Sequence, residues 1–354
     1  MKITRVEFIP HRLKRKVRWQ TASYSADVLS LFYVKLYRED GLIGLGAASI
    51  LPTRAASFEP GLAALRSAAP LFAGRDAGEV DVLMSELDEA VPDFPYHKVA
   101  IEMALFDLNA KAQRISVAQL LGGKKRDSIP VLKMLGMGTT EWMAERARQF
   151  ADQGYHSLKV KLGSGPQKDL ACFTAIRERV GRDVALTADF NGAYDARTAI
   201  DVIQRLTPLG LTMAEQPVSA NDLAGMAAVN DAVEPLILAD QSINSADDVY
   251  RVAEHKAAGA VSIKLLKLGG IRRSRAVVEA CESAGLRCHV GGTGSTRLVE
   301  ATQAHFISAT PAIIVPSEIA EFEELDGDLV EGLDVTGGEI HLPKEPGLGV
   351  QLTV

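Results

Sequence analysis

The chain has 354 residues, of which 47% are hydrophobic and 24% charged, with a formal net charge of −6. This is the composition of an ordinary soluble globular protein, and the negative balance argues against non-specific nucleic-acid binding. The length exceeds one comfortable core but suits a barrel with a smaller domain attached.

Met1 to Phe8 alternates like a strand and contains no apolar h-region, so no signal peptide is expected. A basic run, Lys14-Arg15-Lys16-Val17-Arg18, follows. Such runs are usually solvated surface, with a substrate-covering or interface role as the alternative. Val28 to Leu36 reads as a strand, and Glu39-Asp40-Gly41 as a turn before a second strand, Leu42 to Ala47. Ala/Leu-rich stretches come next. Tyr96 to Ala112 places Val99, Ile101, Met103, Ala104, Leu105, Leu108 and Ala112 at helical spacing, and Gly122-Gly123 ends the region. Strands followed by helices predict an α+β module over residues 1–125.

From Ile129 the pattern alternates strand and helix. Ile129-Pro130-Val131-Leu132 reads as the first strand, and Thr139-Thr140-Glu141 opens a helix running to about Gln153. Further strand candidates fall near 159, 186, 213, 238, 262, 288 and 314, which makes eight βα units, a compact parallel barrel over residues 126–318. Residues 319–354 are turn-rich and β-like and are expected to return to the N-terminal module. Cys172, Cys281 and Cys288 are few, odd in number and lack metal spacing, which reads as reduced thiols in a cytoplasmic protein. No 18-residue uncharged apolar stretch exists, so no membrane span is expected.

The chemistry lies at the strand ends. Lys159 and Lys161 form a Lys-x-Lys pair, and Asp189, Glu215, Asp240 and Lys264 each end an apolar β-type run. Their spacing of about 24 to 28 residues is that of one strand, one helix and two short loops. A parallel barrel gathers its C-terminal strand ends at one mouth, so three carboxylates and three amines should converge there. Single aspartates after strands are commonly helix caps. Three successive carboxylates flanked by lysines are harder to explain that way, and Glu215 is no favoured cap. Three carboxylates suit a hard cation such as Mg²⁺, and no histidine-rich set points to zinc. Strand alternation turns Lys159 and Lys161 inward together. Each disfavours the other's charge, which should lower one pKa towards use as a base. Lys267 is expected to stand outside the chemistry.

Together with Asp189-Phe190-Asn191, Glu215-Gln216-Pro217, Gly269-Gly270 and Pro346-Gly347-Leu348-Gly349, these motifs resemble the enolase superfamily. The closest likeness is to its muconate-lactonizing subgroup, within the mandelate racemase/muconate lactonizing enzyme family. The resemblance covers nearly the whole chain. It implies a modified TIM barrel, (β/α)7β, with an α+β capping domain formed by the N-terminal region and the C-terminal tail. It implies Mg²⁺, or Mn²⁺ in its place, on Asp189, Glu215 and Asp240. It further implies removal of the α-proton of a small-molecule carboxylate substrate through a metal-stabilised enediolate. In that scheme Lys161 and Lys264 are acid/bases on opposite faces, and Lys159 assists the carboxylate. Racemisation or epimerisation of an amino acid or its derivative is the leading expectation. Cycloisomerisation of the muconate type, and dehydration of a hydroxylated acid such as a hydroxyproline, are the alternatives. A Schiff-base aldolase is a distant one. A cytoplasmic homo-oligomer with neither nucleic-acid nor membrane partners is expected.

Departures from the family pattern bear on specificity. Asp240 is followed by neutral Gln241, which with Asn191 should tune the metal ligands from behind. Ser295 takes the place of a common glutamate in the loop after strand seven, with Thr293 nearby. The strand-eight segment Ser317-Glu318-Ile319-Ala320-Glu321 lacks the Asp-x-Asp of dipeptide epimerases, although Glu318 is expected to be able to bind an amine. Trp19 and Tyr24 lie in the early loop that caps the mouth and are expected to shape the substrate site. His289 reads as a packed, hydrogen-bonded histidine, with substrate contact the alternative.

Overall fold

The computed structural model describes residues 1–22 and 24–354. Strands β1 (Ile3–Gln20), β2 (Ser25–Arg38) and β3 (Ile43–Ile50) form an antiparallel sheet near the N-terminus. The helix Pro95–Gln113 lies against β3. Gly44 and Gly46 permit this approach. A Cβ on either would stand 2.1 and 1.9 Å from the Ala104 and Ala100 carbonyl oxygens, closer than atoms pack.

After a short strand β4 (Ser128–Pro130) comes the parallel series. It comprises β5 (Lys133–Leu135), β6 (Ser157–Lys161), β7 (Ala185–Asp189), β8 (Leu211–Glu215), β9 (Leu236–Ala239), β10 (Ala260–Ile263) and β11 (Arg287–Val290). They are hydrogen-bonded in sequence order as one curled seven-stranded sheet. Residues 313–318 join its two edges: the Ile314 amide donates to the Cys288 carbonyl at 2.7 Å, and the Leu132 amide to the Ser317 carbonyl at 2.8 Å. This segment takes the eighth place of a ring. Helices such as Thr140–Asp152 and Pro166–Val180 cover the outer face. Val160, between the two lysines, is fully buried in the apolar cluster beneath them.

The first barrel strand differs from expectation. Residues 128–130 pair antiparallel with Glu339–His341, and the barrel strand starts at Lys133. Pro130 has no N–H to give a central parallel strand, so the apolar run there serves the returning tail. That tail also reaches the N-terminal sheet, through Lys14 paired with Asp326. Buried Asp107 accepts from the Leu45 amide at 2.8 Å and the Leu348 amide at 2.7 Å, tying β3 to the tail. Among the described residues no helix is long and apolar enough to cross a membrane.

Candidate active site

The strand ends meet as the spacing predicts. Lys161 pairs in register with Asp189, and Asp189 with Glu215. Asp240 directly follows β9, and Lys264 directly follows β10. In an eight-membered ring β6 and β10 lie opposite each other. Lys161 and Lys264 therefore face one another, with the three carboxylates on the arc between. Both lysines line one cavity of about 270 Å³ at the barrel mouth, together with Asn191, Asp240 and Gln241.

Each carboxylate meets a lysine. Lys159, 1% exposed, donates to Glu215 Oε2 at 2.9 Å and to Glu318, and lies 3.6 Å from Asp189. Lys161 donates to Asp189 Oδ2. Lys264 donates to Asp240 Oδ2 at 2.8 Å. For Lys159 the contacts reverse the expected lowering of an amine pKa. Burial alone would lower Lys159, but Glu215, Glu318 and Asp189 raise it well above the usual lysine range. Lys264 is raised likewise: burial lowers it, and Asp240 and Glu215 outweigh that. Neighbouring anions prevail over the neighbouring amine because they are in contact.

The residues fit a hard cation. Glu215 Oε1 and Asp240 Oδ1 are buried without a hydrogen-bond partner among the described residues, a costly state for a carboxylate oxygen. Glu215 is pushed up to about 8, first by burial, with Asp189 and Glu318 adding to it against Lys159. The donors are all oxygens, the set preferred by Mg²⁺ or Mn²⁺. As the side chains stand, no three such groups among the described residues are gathered closely enough to hold a metal. Each has turned to an ammonium instead.

The backbone around the carboxylates is constrained. Asn191 (φ 48°) and Gln216 (φ 37°), two residues and one residue after Asp189 and Glu215, lie in the left-handed region. The Asn191 amide donates to Asp189 Oδ1 at 2.8 Å and its side chain to Oδ2 at 3.2 Å. Gln216 is buried, and its Oε1 accepts from the Asp240 amide at 3.0 Å and the Ser242 amide at 3.3 Å. It links two carboxylate-bearing loops. Its sequence position beside Glu215 was the only signal of this role.

The remaining expected site residues divide. Trp19, Tyr24 and Thr293 line the cavity. Ser295 does not: its hydroxyl is buried against Ser49 Oγ at 2.7 Å, where it joins barrel to cap. Glu318 is not free for an amine, since Lys159 and the Gly292 amide (2.7 Å) occupy it. His289 is fully buried, but neither ring nitrogen has a hydrogen-bond partner among the described residues, and burial lowers its pKa to about 4. Lys267 comes closer than expected. It lines the cavity and donates to the Asp240 carbonyl at 2.7 Å. Within the basic run, Lys14, Lys16 and Arg18 are exposed, but Arg15 is buried and lines the cavity.

Known proteins share this architecture. Residues 3–122 match the mandelate racemase / muconate lactonizing enzyme N-terminal domain, and residues 142–353 match the enolase C-terminal domain-like family. An N-succinyl-L-Arg/Lys racemase of Bacillus cereus is 29% identical, covering 99% of this chain and 96% of its own. Muconate cycloisomerase 1 of Rhodococcus opacus is 31% identical over 80% of this chain and 77% of its own. The structure of an Enterococcus faecalis dipeptide epimerase, complexed with Mg and the dipeptide L-Leu-L-Tyr, superimposes with a TM-score of 0.94. It is 27% identical and covers 99% of this chain and all of its own.

Proposed function

The chain belongs to the mandelate racemase/muconate lactonizing enzyme family of the enolase superfamily, and from that premise we propose that it racemises or epimerises an amino-acid derivative by moving its α-proton. The observation that carries this reading is the placing of Lys161 and Lys264 on opposite strands around one cavity, with three carboxylates between them. An α-carbon held between two amines can lose its proton to one face and regain it from the other.

In this reading Asp189, Glu215 and Asp240 hold Mg²⁺, with Mn²⁺ as substitute. The cation supplies positive charge for the substrate carboxylate, whose α-proton is otherwise very weakly acidic. Lys161 and Lys264 must each release their carboxylate partner and a proton to act as base. Lys159 keeps its charge among Glu215, Glu318 and Asp189 and balances the negative charge of the site. Asn191 and Gln216 orient Asp189 and Asp240, and Trp19, Tyr24 and Thr293 contact the substrate. Lys159, Asp189 and Glu215 are buried, which strengthens their electrostatic contacts. A Schiff-base aldolase would need no cation site, and the three carboxylates gathered between the lysines speak against it.

Cycloisomerisation is the second reading, favoured by the 31% identity to a muconate cycloisomerase. There one lysine moves the proton and the other remains a cation. The test is incubation in D₂O with Mg²⁺ and pooled amino acids, N-acyl amino acids, dipeptides, proline derivatives and hydroxy acids, read by mass spectrometry. Deuterium at the α-carbon with inversion supports the racemase reading. Ring closure or loss of water would replace it, and no exchange in any class would overturn it.

A further inference from the structure

The helix Ile271–Ala284 follows the segment that carries Lys264 and Lys267, and its own sequence gives it no cap. Gly270 stands at the N-cap and offers no side chain, and no acidic residue lies in the first turn. Arg272 and Arg273 lie there instead, at the end where a helix favours negative charge. The acceptor for its leading amides comes from the N-terminal module. Glu102, in the helix Pro95–Gln113 and 1% exposed, accepts from the Ile271 amide through Oε2 and from the Arg272 amide through Oε1 at 3.3 Å. Gly270 permits this contact. Its φ of +129° suits glycine, and a Cβ there would overlap Glu102 Oε2.

Glu102 thereby holds the far end of the Lys264 segment, whose near end is fixed by β10. Between the two ends one short helix, Leu265–Leu268, is closed by its own hydrogen bonds. The Leu268 amide donates to the Lys264 carbonyl at 3.0 Å, and the Gly270 amide to the Leu265 carbonyl at 2.9 Å. The helix that bears Glu102 meets this unit again at its first turn. Pro95 Cβ would lie 3.3 Å from a Cβ on Gly269, and Tyr96 lines the cavity with Lys264. Asp81 with Arg272 at 2.5 Å and Asp88 with Arg273 at 2.7 Å add two pairs at the rim. Each of these has a partner at least half exposed, so each counts for little. Glu102 is the buried contact.

Lys161 is seated differently. The Gly163 and Ser164 amides, just beyond it, donate to Asp169 at 2.7 and 3.0 Å, and Asp169 lies in the helix that follows the same loop. One lysine loop closes on its own helix, and the other is held from the N-terminal module. We propose that Glu102 is a positioning residue for Lys264: by capping the helix Ile271–Ala284 from the N-terminal module, it fixes the height of the Lys264 segment and so sets one of the two proton-transfer faces without setting the other. This rests on the proton-transfer reading above and adds to it a residue that touches neither the cation site nor the substrate.

Glu102→Met removes both acceptors at similar volume, and Glu102→Gln keeps one and decides alone if the first does not fold. Asp107→Ala, on the same helix but holding β3 and the tail, controls for general loss of stability. Amide hydrogen exchange is first followed by mass spectrometry without substrate. Peptides spanning residues 264–275 should take up deuterium about 10-fold faster in Glu102→Met, with Glu102→Gln between. Peptides spanning residues 158–164 should keep their rates. The second readout is α-deuteration with retention of configuration, in D₂O with Mg²⁺, on N-acetyl-L-methionine and N-acetyl-D-methionine separately. Retention is read because racemisation rates in the two directions are tied together by the equilibrium constant. The enantiomer whose exchange Lys264→Ala abolishes should slow about 10- to 100-fold in Glu102→Met, and the other less than about 3-fold. Asp107→Ala should change both alike. Unchanged amide protection over 264–275, an equal fall for both enantiomers, or the same asymmetry in Asp107→Ala overturns the proposal. If the unmodified protein exchanges neither enantiomer, the proton-transfer reading fails for this probe, and the amide protection by itself upholds or overturns the seat of the Lys264 segment.

Discussion

Lys159→Met offers the sharpest test of the charge arrangement. Lys159 is 1% exposed and touches Glu215 at 2.9 Å, with Glu318 and Asp189 also in reach. At an effective dielectric constant of 20, one contact at that distance corresponds to about 6 kcal/mol of attraction. Desolvation of the two ions takes back several kcal/mol. Removing one partner of such a pair strands buried carboxylates and costs about 3–5 kcal/mol. For a chain of this size that is a fall of roughly 4–7 °C in the thermal midpoint. Thermal unfolding should be followed in EDTA and again in excess Mg²⁺. The variant should fall by this amount in EDTA and recover part of it in Mg²⁺, because a cation replaces the missing charge. Its midpoint should therefore rise more on adding Mg²⁺ than that of the unmodified protein. A loss below about 1 kcal/mol, the scale of an exposed pair, or an equal Mg²⁺ response in both proteins, would refute the reasoning.

Gln216→Leu removes the acceptor that holds the Asp240 and Ser242 amides. Mg²⁺ affinity measured by calorimetry should weaken about 10- to 100-fold. Asp107→Ala leaves the Leu45 and Leu348 amides unmatched. It should cost about 2–4 kcal/mol and open the tail after Leu342 to limited proteolysis before the barrel is cut. His305 accepts from the Ala118 amide through Nδ1 at 3.3 Å, which leaves Nε2–H to donate to the Leu348 carbonyl at 3.1 Å. This neutral form has a pKa lowered to about 4, chiefly by burial, from a usual 6.5. The unfolded chain therefore binds the extra proton first. His305 stabilises the fold above pH 6.5, and that stability is lost as pH falls towards 4, about 3 kcal/mol in all. Unfolding midpoints across that window should be flatter in His305→Gln than in the unmodified protein.

A single charge after an apolar run is commonly a cap, but the strand ends were legible because five such charges followed one another at barrel spacing. Lys159 and Lys161 were legible through strand alternation alone. What the sequence hid was pairing at a distance. Ser295 faces Ser49, 246 positions away, and Glu318 faces Lys159, 159 positions away. No local pattern encodes either contact, so both residues were expected to be free for substrate. Arg15 was hidden by company: three of its basic neighbours are solvated, while Arg15 follows buried Leu13 by two residues on the inner face of β1. The first barrel strand was misplaced because the apolar run before it pairs with a tail strand some 210 residues later. Lys267 was set apart by its position after the strand, yet the following short helix brings it back to Asp240.

The central claim is that Lys161 and Lys264 serve opposite faces of one α-carbon. The direct measurement is α-deuteration of each enantiomer of an exchanging substrate separately, in Lys161→Ala and in Lys264→Ala with Mg²⁺. Each variant should lose inversion and retain exchange with one enantiomer only, the retained enantiomer being opposite in the two. Exchange of both enantiomers by either variant, or loss of the same enantiomer in both, would contradict the account.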